Sequence, residues 1–259
     1  MERRDFIQKS ILTTTTAMAA VGLSSGNAQG GSKGKEVYEF RTYHMRRNQV
    51  PLDNYLSKAL IPALNNKGVK NVGVFSELSK SEPATIYMLI PYASFEDFSK
   101  ITMDIKKDKD FAQAAGDYSK IPVDQSVFER YDSSLMTAFD GHPKIAIPSS
   151  GQRLFEFRIY EGYSEDAVAR KVKMFNESEF DIFNRVKLNP VFFGENISGP
   201  NLPCLTYMTV FRNMEERDQA WKAFSADPAW QKVSKLPEYA NTVSKINKIF
   251  FEPVSYSQI

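Results

Sequence analysis

Tyr38-Glu39-Phe40-Arg41-Thr42-Tyr43 reads as a β-strand, and the sequence writes it again as Phe155-Glu156-Phe157-Arg158-Ile159-Tyr160. Both stretches alternate and are rich in aromatic or β-branched residues, the pattern of a buried strand. Further echoes follow in the same order. Thr85-Ile86-Tyr87-Met88-Leu89 matches Leu205-Thr206-Tyr207-Met208-Thr209, Asp110-Phe111 near Tyr118 parallels Trp230 near Tyr239, and Val127-Phe128-Glu129 matches Phe250-Phe251-Glu252. A constant spacing of roughly 120 positions identifies a duplicated unit, with small drifts that loop changes would produce.

Working outward, each unit reads strand, helix, strand, strand, helix, strand. In the first, Leu52, Tyr55, Leu56, Ala59, Leu60, Ala63 and Leu64 form one apolar helical stripe, and Gly68 ends that helix. Ser94 with Asp97 is an N-cap arrangement opening the second helix. The second unit places a helix from Ser164 to about Arg185 and another around 215–224. The expected units are residues 36–132 and 153–254, joined by a linker, 133–152, that carries Gly141, Pro143, Pro148 and Ser149-Ser150-Gly151. The order βαββαβ predicts an α+β fold of tandem ferredoxin-like units. Each unit leaves one sheet face uncovered, so a dimeric α/β-barrel arrangement is expected. Two closures satisfy it, one between the halves and one onto a second chain, which also leaves self-association open.

Residues 1–28 differ from the rest. Arg3-Arg4-Asp5-Phe6-Ile7-Gln8-Lys9 resembles a twin-arginine export signal, followed by an apolar run over 11–23 and by small residues at Gly26-Asn27-Ala28. That run is shorter than the ~20 apolar residues a membrane-spanning helix needs, so no transmembrane segment is expected in the mature chain. The expected compartment is the bacterial periplasm. An ordinary Sec-type signal is the alternative reading.

Composition narrows the chemistry. There are 33 Lys+Arg against 31 Asp+Glu, a balance that offers no footprint for nucleic acid. One cysteine and two histidines exclude CxxC-type sites and a His-based metal site, so no metal and no cofactor are expected. Nucleotide-binding, zinc-protease, serine-hydrolase and calcium-loop motifs are absent.

Alternate strand residues share a face. Glu39, Arg41 and Tyr43 therefore lie together, as do Glu156, Arg158 and Tyr160, opposite Tyr38, Phe40, Phe155 and Phe157. The aromatic face is expected to pack on the helices, which sends the two Glu-Arg-Tyr triples into the barrel interior. There they could bind a polar small molecule, with tyrosine as acid and glutamate as base. The structural alternative is an ion pair capped by tyrosine hydroxyls. His44, His142 and Cys204 read as packing or surface residues, Trp221, Phe224 and Trp230 as core, and Lys106-Lys107-Asp108-Lys109-Asp110 as a solvated face.

The opening hexapeptide, the amphipathic helix leading to Gly68, Asp227-Pro228-Ala229-Trp230 and the closing aromatic strand together resemble the NIPSNAP family. The first unit departs from that pattern at Lys109-Asp110-Phe111, which lacks Pro and Trp. The second has Ile159 and Glu161 where Thr42 and His44 stand. The resemblance implies the dimeric α/β-barrel fold without implying one reaction. The expectation is an exported accessory or small-molecule-binding protein. The alternative is a metal-independent oxygenase or isomerase acting on a small organic or sugar-derived substrate. Haem binding is a third reading that needs His44 or His142 to face a cavity.

Overall fold

A computed structural model describes residues 34–79 and 83–259. The signal-like segment, residues 1–28, lies outside them. Eight strands are described: β1 (Val37–Met45), β2 (Gly73–Glu77), β3 (Thr85–Tyr92), β4 (Phe128–Ala138), β5 (Leu154–Glu161), β6 (Pro190–Ser198), β7 (Cys204–Phe211) and β8 (Lys245–Pro253). They close into one barrel in the order β1-β3-β2-β8-β5-β7-β6-β4, with antiparallel pairing throughout.

Cut at its two seams, the barrel is two four-stranded sheets of identical order, β4-β1-β3-β2 and β8-β5-β7-β6. The edge strand of each sheet pairs with the closing strand of the other. Phe75 of β2 sits opposite Pro253 of β8, and Thr137 of β4 opposite Glu195 of β6. The halves therefore close on each other within one chain. At the second seam a Cβ on Gly194 would lie 2.8 Å from Met136 Cβ, so glycine there lets β4 and β6 approach.

Helices cover the outer face of each sheet. The first half carries a helix over 50–66 and helices Phe95–Ile105 and Lys109–Ala114; the second carries 165–186, Met214–Ala226 and Pro228–Val233. Both long helices contain a π-helical turn at the matching place, Leu56–Leu60 and Phe175–Glu179. The caps match as well. Ser94 accepts from the Asp97 backbone amide at 3.0 Å, and Asn213 from that of Glu216 at 2.9 Å. Asp227 accepts from the amides of Ala229 and Trp230, and Asp108 does the same for Asp110 and Phe111. Although Lys109-Asp110-Phe111 lacks Pro and Trp, it therefore starts its helix on the same aspartate cap.

Two expectations need correction. The strand β4 runs on to Ala138, through the first residues of the expected linker at 133–152, because its far end supplies the β4–β6 seam. More consequentially, the strand faces are reversed. The barrel interior is filled by Tyr38, Phe40, Phe155, Phe157, Phe192 and Phe251 with smaller apolar residues, drawn from all eight strands and no helix. Phe40 stacks on Phe157 at 4.4 Å, and Tyr87 lies 4.4 Å from Phe251. Glu39, Arg41, Tyr43, Glu156, Arg158 and Tyr160 instead face outward, beneath the helices. The physical reason lies in the charges. The interior is filled with aromatic and aliphatic side chains, whereas outside it Arg217 and Trp221 of the Met214–Ala226 helix donate to Glu156, and Tyr92 of β3 and Ser133 of β4 donate to Glu39.

Replacing the stacked Phe40 with alanine is expected to cost about 3–5 kcal/mol, the usual toll of deleting a fully packed aromatic. Urea unfolding of F40A against the parent measures it. A loss under about 1 kcal/mol would contradict a packed interior.

Candidate functional site

In the second half, Glu156 is completely buried and receives five hydrogen bonds. Arg158 donates from Nε at 2.9 Å and Nη2 at 2.6 Å, and Arg217 from Nε at 2.9 Å and Nη2 at 2.8 Å. Trp221 Nε1 adds a fifth at 2.7 Å. Burial pushes the Glu156 carboxyl up, but Arg217, Arg158 and Trp221 outweigh it and hold the group below its ordinary range. The Arg158 guanidinium lies 3.8 Å from the centre of the Trp221 ring and also donates to the Tyr160 hydroxyl, which shares a 2.8 Å hydrogen bond with Tyr207. In the first half, Arg41 binds Glu39 at 2.6 and 2.9 Å, and Tyr92 and Ser133 complete the carboxylate. The Glu156 pair thus ties the sheet to the Met214–Ala226 helix, whereas the partners of Glu39 lie on the neighbouring strands β3 and β4. Neither pair borders a described cleft; of the six residues, Tyr160 does.

That cleft is the feature strand reasoning missed. A space of about 480 Å³ opens between the helices and the sheet of the second half. Its floor holds Tyr160, Lys171, Met174 and Glu179, all buried. Trp221 and Trp230, both tryptophans of the sequence, form its walls, and exposed Ser225, Asn241 and Ile246 surround its mouth. Trp221, Phe224 and Trp230, read as core, pack against one another and present their free faces to this space.

Lys171 and Glu179 form a buried ion pair on the 165–186 helix. Eight residues of regular α-helix would leave the two about 80° apart around the axis. The π turn Phe175–Glu179 adds a residue and returns Glu179 to the Lys171 face. The ammonium lies 4.6 Å from the Phe175 ring centre, 5.4 Å from Trp230 and 5.9 Å from Tyr160. Burial raises the Glu179 carboxyl above its ordinary range, with the Lys171 charge opposing. Superposing the two π turns by sequence puts Leu52 and Leu60 at the matching positions, both packed in the apolar core of the first half. The turn belongs to the architecture of both halves, whereas the ion pair belongs to one.

The two histidines and the cysteine lie away from this cleft. His44 pairs with Asp132 at 2.7 Å on the exposed surface. His142 stacks on Phe180, and burial lowers its affinity for a proton. Neither borders one of the described clefts. Cys204 borders a different cleft, of about 350 Å³, and burial pushes its thiol up to about 11, away from nucleophilic use. Among the described residues no cluster of His, Cys, Asp and Glu could hold a metal, and no helix is long and apolar enough to cross a membrane.

Glu156→Gln would leave Arg158 and Arg217 facing an uncharged amide, and is expected to cost about 3–5 kcal/mol at neutral pH. Because the Glu156 carboxyl lies below its ordinary value of 4.5, its contribution is fully present above that pH and lost as pH falls through the lowered value. Urea midpoints across an acid series should therefore fall more steeply for the parent than for E156Q. Parallel curves with equal neutral stability would contradict the network.

Compared with known proteins, residues 155–258 match the model of the NIPSNAP family. No curated protein matches. Two solved structures, each described as a "putative monooxygenase", share the fold. The one from Fusobacterium nucleatum is 10% identical, covering 85% of this chain and 93% of its own with a TM-score of 0.55. The one from Lactobacillus acidophilus is also 10% identical, covering 85% and 94%, at 0.54. A chlorite dismutase from Candidatus Nitrospira defluvii is 9% identical, covering 87% and 93%, at 0.50. Identities this low speak for the dimeric α/β-barrel fold alone. The family match thus falls on the second half of the barrel, which is NIPSNAP-like over residues 155–258.

Proposed function

We propose that the protein binds a small organic molecule in the helix–sheet cleft of its second half. One observation carries the reading: a buried Lys171–Glu179 pair stands at the cleft floor where the first half has Leu52 and Leu60. Taking two charges out of water is costly, and the leucines of the first half do the packing work without that cost. The pair is therefore kept for what enters the cleft. Trp221 and Trp230 suit a flat or apolar body, with a polar group directed at the floor. The site thus moves from the Glu-Arg-Tyr triples to their neighbours, Tyr160 being common to both.

An enzymatic role is the second reading, favoured by the same pair, since a lysine and a glutamate in hydrogen-bond contact can exchange a proton during a reaction. The likeness to structures named as monooxygenases is compatible with it. The wider organisation belongs to the proposal as well: tandem NIPSNAP-like units over 36–132 and 153–254, exported to the periplasm behind a twin-arginine signal.

Native mass spectrometry of protein purified from its own organism tests the ligand reading. The parent should carry a co-purifying small molecule that Trp230→Ala loses while remaining folded by circular dichroism. An equal ligand load on both proteins would place the molecule elsewhere. For export, replacing both Arg3 and Arg4 with lysine should leave the precursor in the cytoplasm, because the twin-arginine route reads the pair itself. Unchanged export of that variant would favour the Sec reading.

A further inference from the structure

We infer that Lys171 is a covalent anchor, its ε-amine condensing with the carbonyl group of an apolar aldehyde or ketone seated in the second-half cleft. This rests on the cleft being the ligand site and names the ligand chemistry it selects.

Four observations converge on it. First, Lys171 lines the cleft although its side chain is almost wholly buried, so its nitrogen meets whatever occupies the floor. Second, its charge is already matched by Glu179, so the pair as a whole is neutral and offers a free anion little attraction. Third, the surrounding rings of Phe175, Trp230 and Tyr160 favour an apolar partner over a second ion. Fourth, the Leu52 and Leu60 counterparts show that the helix and its π turn pack without the pair. What remains distinctive at the floor is an amine with a proton acceptor in direct contact, and a desolvated lysine of that kind is the usual carbonyl nucleophile.

The step balances with the residues present. Glu179 takes a proton from the Lys171 ammonium, an exchange helped by the burial that raises its carboxyl. The free amine attacks the carbonyl carbon and forms the C–N bond, and the oxygen collects that proton. Glu179 then removes a second proton from nitrogen and returns it to the hydroxyl, which leaves as water as the C–O bond breaks. The product is a protonated imine beside the Glu179 carboxylate, so the net charge of the floor is unchanged. No oxidant or reductant takes part.

Full-length protein is exposed to cyclohexanecarboxaldehyde with sodium cyanoborohydride near neutral pH, and the reduced adduct is located by peptide mass mapping. Intrinsic fluorescence reports occupancy in parallel, since both tryptophans border the cleft, and the non-condensing alcohol cyclohexanemethanol serves as the binding control. The expected result is an adduct at Lys171 formed ahead of every exposed lysine. In K171R the adduct should disappear, a loss that should exceed any loss of the fluorescence response to the alcohol. In E179Q, trapping should slow by roughly 10²-fold or more, the scale of a lost proton-transfer partner. Adducts spread over exposed lysines, with the same pattern in K171R, would overturn the imine. If fluorescence still responds in that case, the cleft remains a binding site without covalent chemistry. If fluorescence responds to neither compound and Lys171 stays unlabelled, the apolar-ligand reading of the cleft falls together with the imine.

Discussion

Closing the barrel buries the inner face of every strand, and much of the molecule follows from that constraint. An open ferredoxin-like sheet can leave one side to water or to a partner. Here the inner side is shared between two sheets and packed with aromatic rings, Phe40 against Phe157 and Tyr87 against Phe251. The outer side is shared between helices and, along much of β4 and β8, water. A strand charge buried beneath the outer layer needs counter-charge and hydrogen bonds; neighbouring strands supply hydrogen bonds to Glu39, and a helix supplies both to Glu156. Arg217 and Trp221 reach Glu156 from the Met214–Ala226 helix, while the barrel centre has no comparable donor.

The same constraint explains what could be read in the residues and what could not. Strand order and the first-half cap were legible because Tyr38–Tyr43 and Phe155–Tyr160 carry nearly the same residues, and because Ser94 announces its helix locally. Alternation along β1 also said correctly which residues share a face. It could not say which face turns inward, since alternation is symmetric and both faces are buried, so the Glu-Arg-Tyr triples were expected in the interior. Lys171 and Glu179 were hidden for a different reason. They sit among Arg170, Lys173 and Glu177 on a helix that reads as a charged surface. Their burial depends on the register shift of a π turn that hydrophobic periodicity does not reveal. The available signal was the repeat itself, which sets them opposite Leu52 and Leu60.

The first half is a control built into the molecule. It shares the fold, the π turn and a Glu–Arg pair on its first strand, so none of these distinguishes a functional site from a structural one. It also has a cleft of its own, of about 340 Å³, near Tyr55, Lys58 and Tyr118, but Tyr55 and Tyr118 stack on each other at 4.2 Å. Where the second half opens a space between tryptophans, the first half has two phenol rings in contact. Subtracting one half from the other leaves a short set of differences, and these cluster around one floor and two walls.

Joining both sheets in one polypeptide through the β2–β8 and β4–β6 seams has a genetic consequence. In a barrel assembled from two identical chains, a mutation that buries a charge under one sheet buries it under the other as well, and the fold bears the penalty twice. A single gene encoding both sheets separates them. One half can keep leucines and hold the barrel together, while its twin accumulates groups that no stable symmetric assembly would tolerate in duplicate.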